Sequence, residues 1–250
     1  IAISLIERSM SRIPADYNQE GRIHARTIEL KEPSAKTLRE RRTRERDAAK
    51  WLRYYFPGIY RLPFGDVHFR IIEEAEYSVA QGARCAVAGP RGTGKSYVIG
   101  GLALKALLEG RVRFPVVMPW DAKQLKKMLG FWKKALCFNE LLARDYPEIC
   151  TPFVASRGSY HKVSTFVDPD GNPLGAQLIV SEGMIVLPHS LGVIGGATIN
   201  GNPLGLNYTT DAGEGLRPDL VFIDDPQDRD TAMSRLQINS TIQQIDFDVA

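Results

Sequence analysis

Cysteine is scarce in this 250-residue chain. There are three, Cys85, Cys137 and Cys150, widely spaced and with no Cys-x-x-Cys pair. So sparse and odd a count excludes a disulfide framework and points to a reducing compartment, with the thiols buried or incidental. The four histidines, His24, His68, His161 and His189, have no metal-ligand spacing, which argues against zinc. No apolar run is long enough to span a membrane, and no stretch has the order of a secretory signal. Charge of one sign is also lacking: 32 Lys and Arg stand against 29 Asp and Glu, a net of +3. That near-balance conceals a split. Residues 1–60 carry 13 basic and 8 acidic side chains, and residues 61–250 carry 19 and 21. The balance argues against a protein that coats nucleic acid with its whole surface, and the basic excess is a feature of the N-terminal quarter.

What is present is an alternation of helical and extended patterns. Residues 1–35 read as a short helix followed by an extended arm. Residues 36–56 read as a charged helix, stopped by Pro57-Gly58. Its many arginines suit a solvated face laced with local ion pairs, or an arm facing DNA or a neighbouring subunit. Tyr54-Tyr55-Phe56 suits core packing better than a base-stacking platform. Apolar residues at helical spacing predict a helix over 66–80, ended by Gly82. Residues 84–88 then read as a short buried strand. A helix is expected from Tyr97 to Leu108, a strand at 116–118, and one long amphipathic helix over 121–144. The outer face of that last helix carries Lys123, Lys126, Lys127, Lys133 and Lys134, which suit a solvated surface or, as the alternative, contact with DNA. Residues 175–199 predict an antiparallel ribbon, and Leu220-Val-Phe-Ile223 a fully apolar strand.

Chemistry concentrates at two places. Gly89-Pro90-Arg91-Gly92-Thr93-Gly94-Lys95-Ser96 is a complete phosphate-binding loop. A chain of this length meets the pattern by chance on the order of once in a hundred. Here it also lies between an expected strand and an expected helix, as its mechanism requires. Glycines let the backbone curl so that successive N–H groups face phosphate oxygens, and the helix start adds a favourable dipole. Lys95 would reach the β- and γ-phosphates, and the Ser96 hydroxyl would ligate Mg²⁺. The second place is the end of the 220–223 strand, where Asp224 and Asp225 follow. Asp224 would hold Mg²⁺ through its water shell, and Asp225 would orient the attacking water. Arg91, inside the loop, could contact the γ-phosphate in cis or from a neighbour. Arg217 reads as a structural bridge between the second motif and the preceding ribbon, and Arg229 and Arg235 as surface charge. Lys95 and Asp224 lie 129 positions apart. That gap suits the branch of phosphate-loop enzymes with an additional strand between the two motif strands, which hydrolyse ATP to do work.

The residues Pro90-Arg91-Gly-Thr-Gly94-Lys95-Ser96, Arg217-Pro-Asp-Leu-Val-Phe-Ile-Asp224-Asp225-Pro226-Gln227 and Ser234 resemble the ATPase domain of the large subunit of tailed-phage terminases. Leu141–Cys150 and Gly195-Gly-Ala-Thr198 look similar as well, so the resemblance covers about residues 45–240. It implies an ATP- and Mg²⁺-dependent motor that drives double-stranded DNA into a procapsid. A ring of subunits on the portal protein, a terminase small subunit as partner and the cytoplasm of an infected host cell come with it. Many terminases have Glu where Asp225 stands. The resemblance also implies a coupling motif and a C-terminal nuclease domain, which makes this chain an ATPase-domain fragment.

The resulting expectation is a three-layer α/β P-loop NTPase of the additional-strand, RecA-like type over residues 60–250. A basic, mostly helical arm over residues 1–59 would precede it. The rival readings are a helicase-like or other DNA-dependent RecA-like ATPase, and a module in which ATP binding cements a ring with little hydrolysis.

Overall fold

Strand β2, Pro115–Pro119, is buried at every position and is an inner strand, next to one edge, of a five-stranded mixed sheet. In the computed structural model, residues 26–90, 92–179, 183–199, 206–210, 212–226 and 234–244 are described. β2 runs parallel to β6, Val193–Gly196, on one side and to β9, Leu220–Asp224, on the other. β4, Gln177–Ile179, and β5, Met184–Val186, extend the β6 side as the expected antiparallel ribbon. The order is β4-β5-β6-β2-β9. Two short pairs stand apart: β1 (Arg26–Thr27) with β3 (Phe166–Val167), and β7 (Tyr208–Thr209) with β8 (Gly215–Leu216).

Alternation along the strands assigns the two faces. Val117, Ile185, Ile194 and Phe222 join one large core with the helices. Val116, Met118, Val186 and Val193 form a second, smaller cluster with Leu216, and Tyr208 packs against it. Among the described residues, the second face is thus covered by the β7–β8 hairpin where the three-layer expectation puts helices. The chain before β9 is rich in turn residues (Asn202-Pro203, Gly205, Gly213, Gly215), which favours a hairpin there.

The helices follow their caps. The Asp47 side chain accepts from Lys50 N at the start of α2, Ala48–Tyr55, which follows α1, Ala35–Glu45. α3, Asp66–Gln81, stops at Gly82 with φ +62, a left-handed position that glycine fills without steric cost. α4 spans Lys95–Leu108. The long helix expected over 121–144 is two: α5, Ala122–Phe138, and α6, Glu140–Asp145. Asn139 makes the break. Its side chain accepts from Leu141 N and Leu142 N, capping α6 more favourably than a mid-helix asparagine could serve α5. α7, Pro147–Ser156, α8, Tyr160–Val163, and α9, Arg235–Gln244, complete the set.

Two further expectations change. Residues 84–88 form no strand; all are exposed except Val87, which is half-buried. A strand needs a ladder partner, and β9 pairs only with β2 among the described residues. β9 is correspondingly half-buried, with Phe222 alone fully enclosed. The arm expected over residues 1–59 has no separate core in its second half. Trp51, Leu52, Tyr55 and Phe56 sit in the main core. Arg41 and Arg44 of α1 reach Glu148 and Asp145 on the helical body, contacts that no local spacing announces.

The Gly195-Gly196 pair has a packing role. A Cβ on Gly195 would stand 2.7 Å from the Phe114 ring, and one on Gly196 would stand 2.5 Å from Leu125. The absent side chains let Phe114 and α5 close onto β6.

Candidate functional site

The phosphate loop closes on itself. Gly92 (φ +86) and Gly94 (φ +75) take left-handed conformations that β-branched or bulky residues rarely adopt. The Lys95 ammonium donates to Gly89 O at 2.7 Å and to Pro90 O at 2.8 Å, and the Thr93 hydroxyl donates to Pro90 O at 3.0 Å. Among the described residues, no backbone carbonyl takes the N–H of Thr93, Gly94, Lys95 or Ser96. Those donors, at the start of a fourteen-residue helix, are the usual furnishings of an anion site.

β9 brings the second motif to the first. The Ser96 hydroxyl donates to Asp224 Oδ1 at 2.6 Å, across 128 positions of sequence. Pairing of Pro119 with Asp224 sets the register that delivers this carboxylate. Because Ser96 gives its proton to Asp224, the hydroxyl's lone pairs stay available to a cation. Among the described residues, no three His, Cys, Asp or Glu side chains converge on a metal position. Mg²⁺ at a nucleotide site needs no such cluster, since it takes few protein ligands and keeps phosphate oxygens and waters. The hydroxyl and carboxylate present here fit that pattern.

Burial pushes the Asp224 carboxyl above the usual carboxylate range. The neighbouring Asp225 adds to the rise, while the Ser96 hydroxyl, Lys127 and Lys95 oppose it. Without a bound cation, the ionised Asp224 is thus unfavourable in the folded state. Asp224→Asn is expected to raise the metal-free melting temperature while abolishing Mg²⁺-dependent turnover. Calorimetry with and without MgATP checks both, and a lower melting temperature would remove the proposed charge penalty.

Asp225 is exposed and holds φ at +45, an uncommon left-handed value that turns the chain sharply as β9 ends. Arg91, Gln227 and Arg229 lie outside the described residues. Arg235 and Arg217 are exposed, and neither forms an ion pair among the described residues. Near Arg217, other groups tie β8 and the chain before β9 to the start of β2. Asp219 accepts from Arg113 N (2.6 Å) and Phe114 N (2.8 Å), and Arg113 grips Glu214 with two bonds.

Comparison with known protein families, curated proteins and solved structures finds no match for this chain. The functional reading therefore rests on local geometry.

Two contributors escaped the sequence reading. His68, in the first turn of α3, accepts from Gly65 N at Nδ1 (3.1 Å), so Nε2 carries the proton and donates to Thr93 O (3.0 Å). The imidazole thereby ties α3 to the phosphate loop, with Phe64 stacked on it at 5.4 Å. A lone histidine three positions after a glycine gave no signal of this. Lys127 belongs to the face taken as solvated. Its ammonium lies 5.4 Å from the Tyr97 ring centroid, and its charge acts on Asp224. Only the packing of α5 against α4, through Met128 and the Trp132–Gly100 hydrogen bond of 2.8 Å, reveals that proximity.

Proposed function

We propose that this chain is an ATP-hydrolysing motor domain that moves double-stranded DNA, of the kind found in terminase large subunits. The observation that carries the reading is the Ser96–Asp224 contact. It joins a complete phosphate loop to an acid-ended strand at one edge of the sheet. Neither motif alone is specific; their meeting at 2.6 Å is the arrangement that MgATP chemistry needs.

In this reading the Thr93–Ser96 N–H groups and Lys95 hold the β- and γ-phosphates. When bound, Mg²⁺ supplies charge neutralisation between those phosphates. Ser96 and Asp224 would hold it, Ser96 directly and Asp224 through its water shell. Asp225 accepts the proton of a water aligned with the γ-phosphate, and Arg91 offers a further cation from within the loop. The terminase-like setting brings the remaining proposals: a homo-oligomeric ring on a portal protein, a small-subunit partner, and action in the host cytoplasm and at the procapsid.

Asp225→Asn is expected to bind ATP within about threefold of the parent while hydrolysing it at least about a hundredfold more slowly. Fluorescent-nucleotide titration together with phosphate release checks this, and undiminished hydrolysis would assign water activation to another residue. If the parent binds nucleotide through Lys95 yet releases no phosphate even with duplex DNA, the ring-assembly reading replaces the motor.

A further inference from the structure

Where α1, α2 and the segment after α2 meet, a hollow of about 630 Å³ is lined by Arg44, Lys50, Arg53, Tyr54, Pro57, Tyr60 and Arg61. Four of the seven residues are cationic and none is acidic. Their charges are unequally balanced. Arg44 is taken up by the buried Asp145 at 2.6 Å, and Lys50 is partly offset by Asp47 at 3.0 Å. Arg53 and Arg61 are exposed and form no ion pair among the described residues, although Arg61 Nε donates to Gly58 O. Arg42 and Arg46 of α1 are likewise exposed and without an ion pair among the described residues.

We propose that this hollow, centred on Lys50, Arg53 and Arg61, is a binding surface for the phosphate backbone of duplex DNA. It deepens the motor reading by naming the surface that holds the polymer, and it rests on that reading for the choice of DNA as the polyanion.

The chemistry fits a phosphate backbone better than a small ligand. The Tyr60 hydroxyl is committed, donating to Tyr97 O at 2.7 Å, and the Tyr54 hydroxyl already accepts from Arg144. What remains is positive charge on long, solvated side chains, which holds phosphates without reading sequence. The same facts favour a duplex over a single strand. Single strands are gripped by stacking bases on free aromatic faces. Here the Arg44 guanidinium lies over the Tyr54 ring at 4.5 Å, Tyr54 meets Tyr55 edge-on, and Tyr60 is 8% exposed. The location also suits a motor. Tyr60 is a wall of the hollow, and its partner Tyr97 follows Ser96 in the first turn of α4.

The test is fluorescence anisotropy with a labelled duplex of about 30 base pairs over a salt series starting near ~50 mM. The double variant Arg53→Glu/Arg61→Glu is expected to bind at least about tenfold more weakly, with a log–log salt slope shallower by about 2. Lys123→Glu/Lys126→Glu makes the same change in net charge on α5 and is expected to lose less than about twofold. Equal losses in the two pairs would overturn the proposal, as would single-stranded DNA binding at least as tightly as duplex. Both arginines are exposed, so the fold should survive; should the charge-reversed protein misfold, Arg53→Gln/Arg61→Gln serves, with a smaller loss expected and no loss overturning the proposal. ATP turnover in the same preparations separates the two readings. Duplex binding that behaves as expected in a protein without Lys95-dependent hydrolysis defeats the motor reading alone. Intact hydrolysis with DNA binding indifferent to Arg53 and Arg61 defeats the hollow alone.

Discussion

Replacing Lys95 with alanine is expected to lower Mg²⁺-dependent ATP turnover by on the order of a thousandfold, with little change in thermal stability. The ammonium sits over its own loop, held by Gly89 O at 2.7 Å and Pro90 O at 2.8 Å. A γ-phosphate carries far more charge than two carbonyl dipoles, so it would draw the ammonium away from them. In the transition state that ammonium faces charge spread over the transferring phosphoryl oxygens. Alanine leaves the backbone N–H groups in place, so nucleotide binding should weaken less than turnover. The fold should barely respond, because the side chain is partly solvated and enters no core cluster. Phosphate release and a melting curve on the same sample measure both. Parental turnover in the variant would move the site elsewhere, whereas a collapsed melting temperature would make Lys95 a structural residue first.

The parts of this site that were legible in sequence are those whose geometry is local. Gly92 and Gly94 announce left-handed backbone, and the apolar run before Asp224 announces a strand. The same local reasoning failed where the outcome depends on a neighbour. Cys85-Ala-Val-Ala88 has the composition of a buried strand but no ladder partner among the described residues, and apart from the half-buried Val87 it remains exposed. Asn139 interrupts a helix whose apolar spacing continues past it, because its side chain caps the next one. His68 and Lys127 reach the site through the packing of α3 and α5, which neither residue's sequence surroundings encode.

Charge was the most ambiguous signal. The basic excess of the first quarter, with Arg61 just beyond it, contains two populations that composition cannot separate. Arg41 and Arg44 are structural, committed to acids about a hundred positions away. Arg42, Arg46, Arg53 and Arg61 are exposed and without ion pairs among the described residues. Removing a member of the first population should affect folding, and removing a member of the second should affect binding to an anionic partner.

The strongest case in the first population is Asp145. Its side chain is fully buried, at 0% exposure. It accepts from Arg44 Nη2 (2.6 Å), from the Tyr55 hydroxyl (2.7 Å) and from Arg144 Nε (2.8 Å). Asp145→Ala is expected to cost about 3 kcal/mol, since it leaves the buried Tyr55 hydroxyl without its acceptor and the mostly enclosed Arg44 without its charge partner. Arg144 contributes little to that figure, because at 51% exposure its charge is solvated in either case. Burial by itself would raise the Asp145 carboxyl. The bonds from Arg144 and Tyr55 and the charges of Arg44 and Arg144 outweigh it, holding the group below the usual carboxylate value. Its folded pKa is therefore depressed, so the stabilisation is complete above the unfolded value of about 4 and disappears as pH falls through the folded value. Urea unfolding at neutral pH and again near pH 3 should show the parent losing stability that Asp145→Asn, already weaker at neutral pH, does not lose. Parallel declines in the two proteins would place the acid sensitivity elsewhere, and an Asp145→Ala cost below about 1 kcal/mol would mean that α1 and α2 are held by their apolar contacts alone.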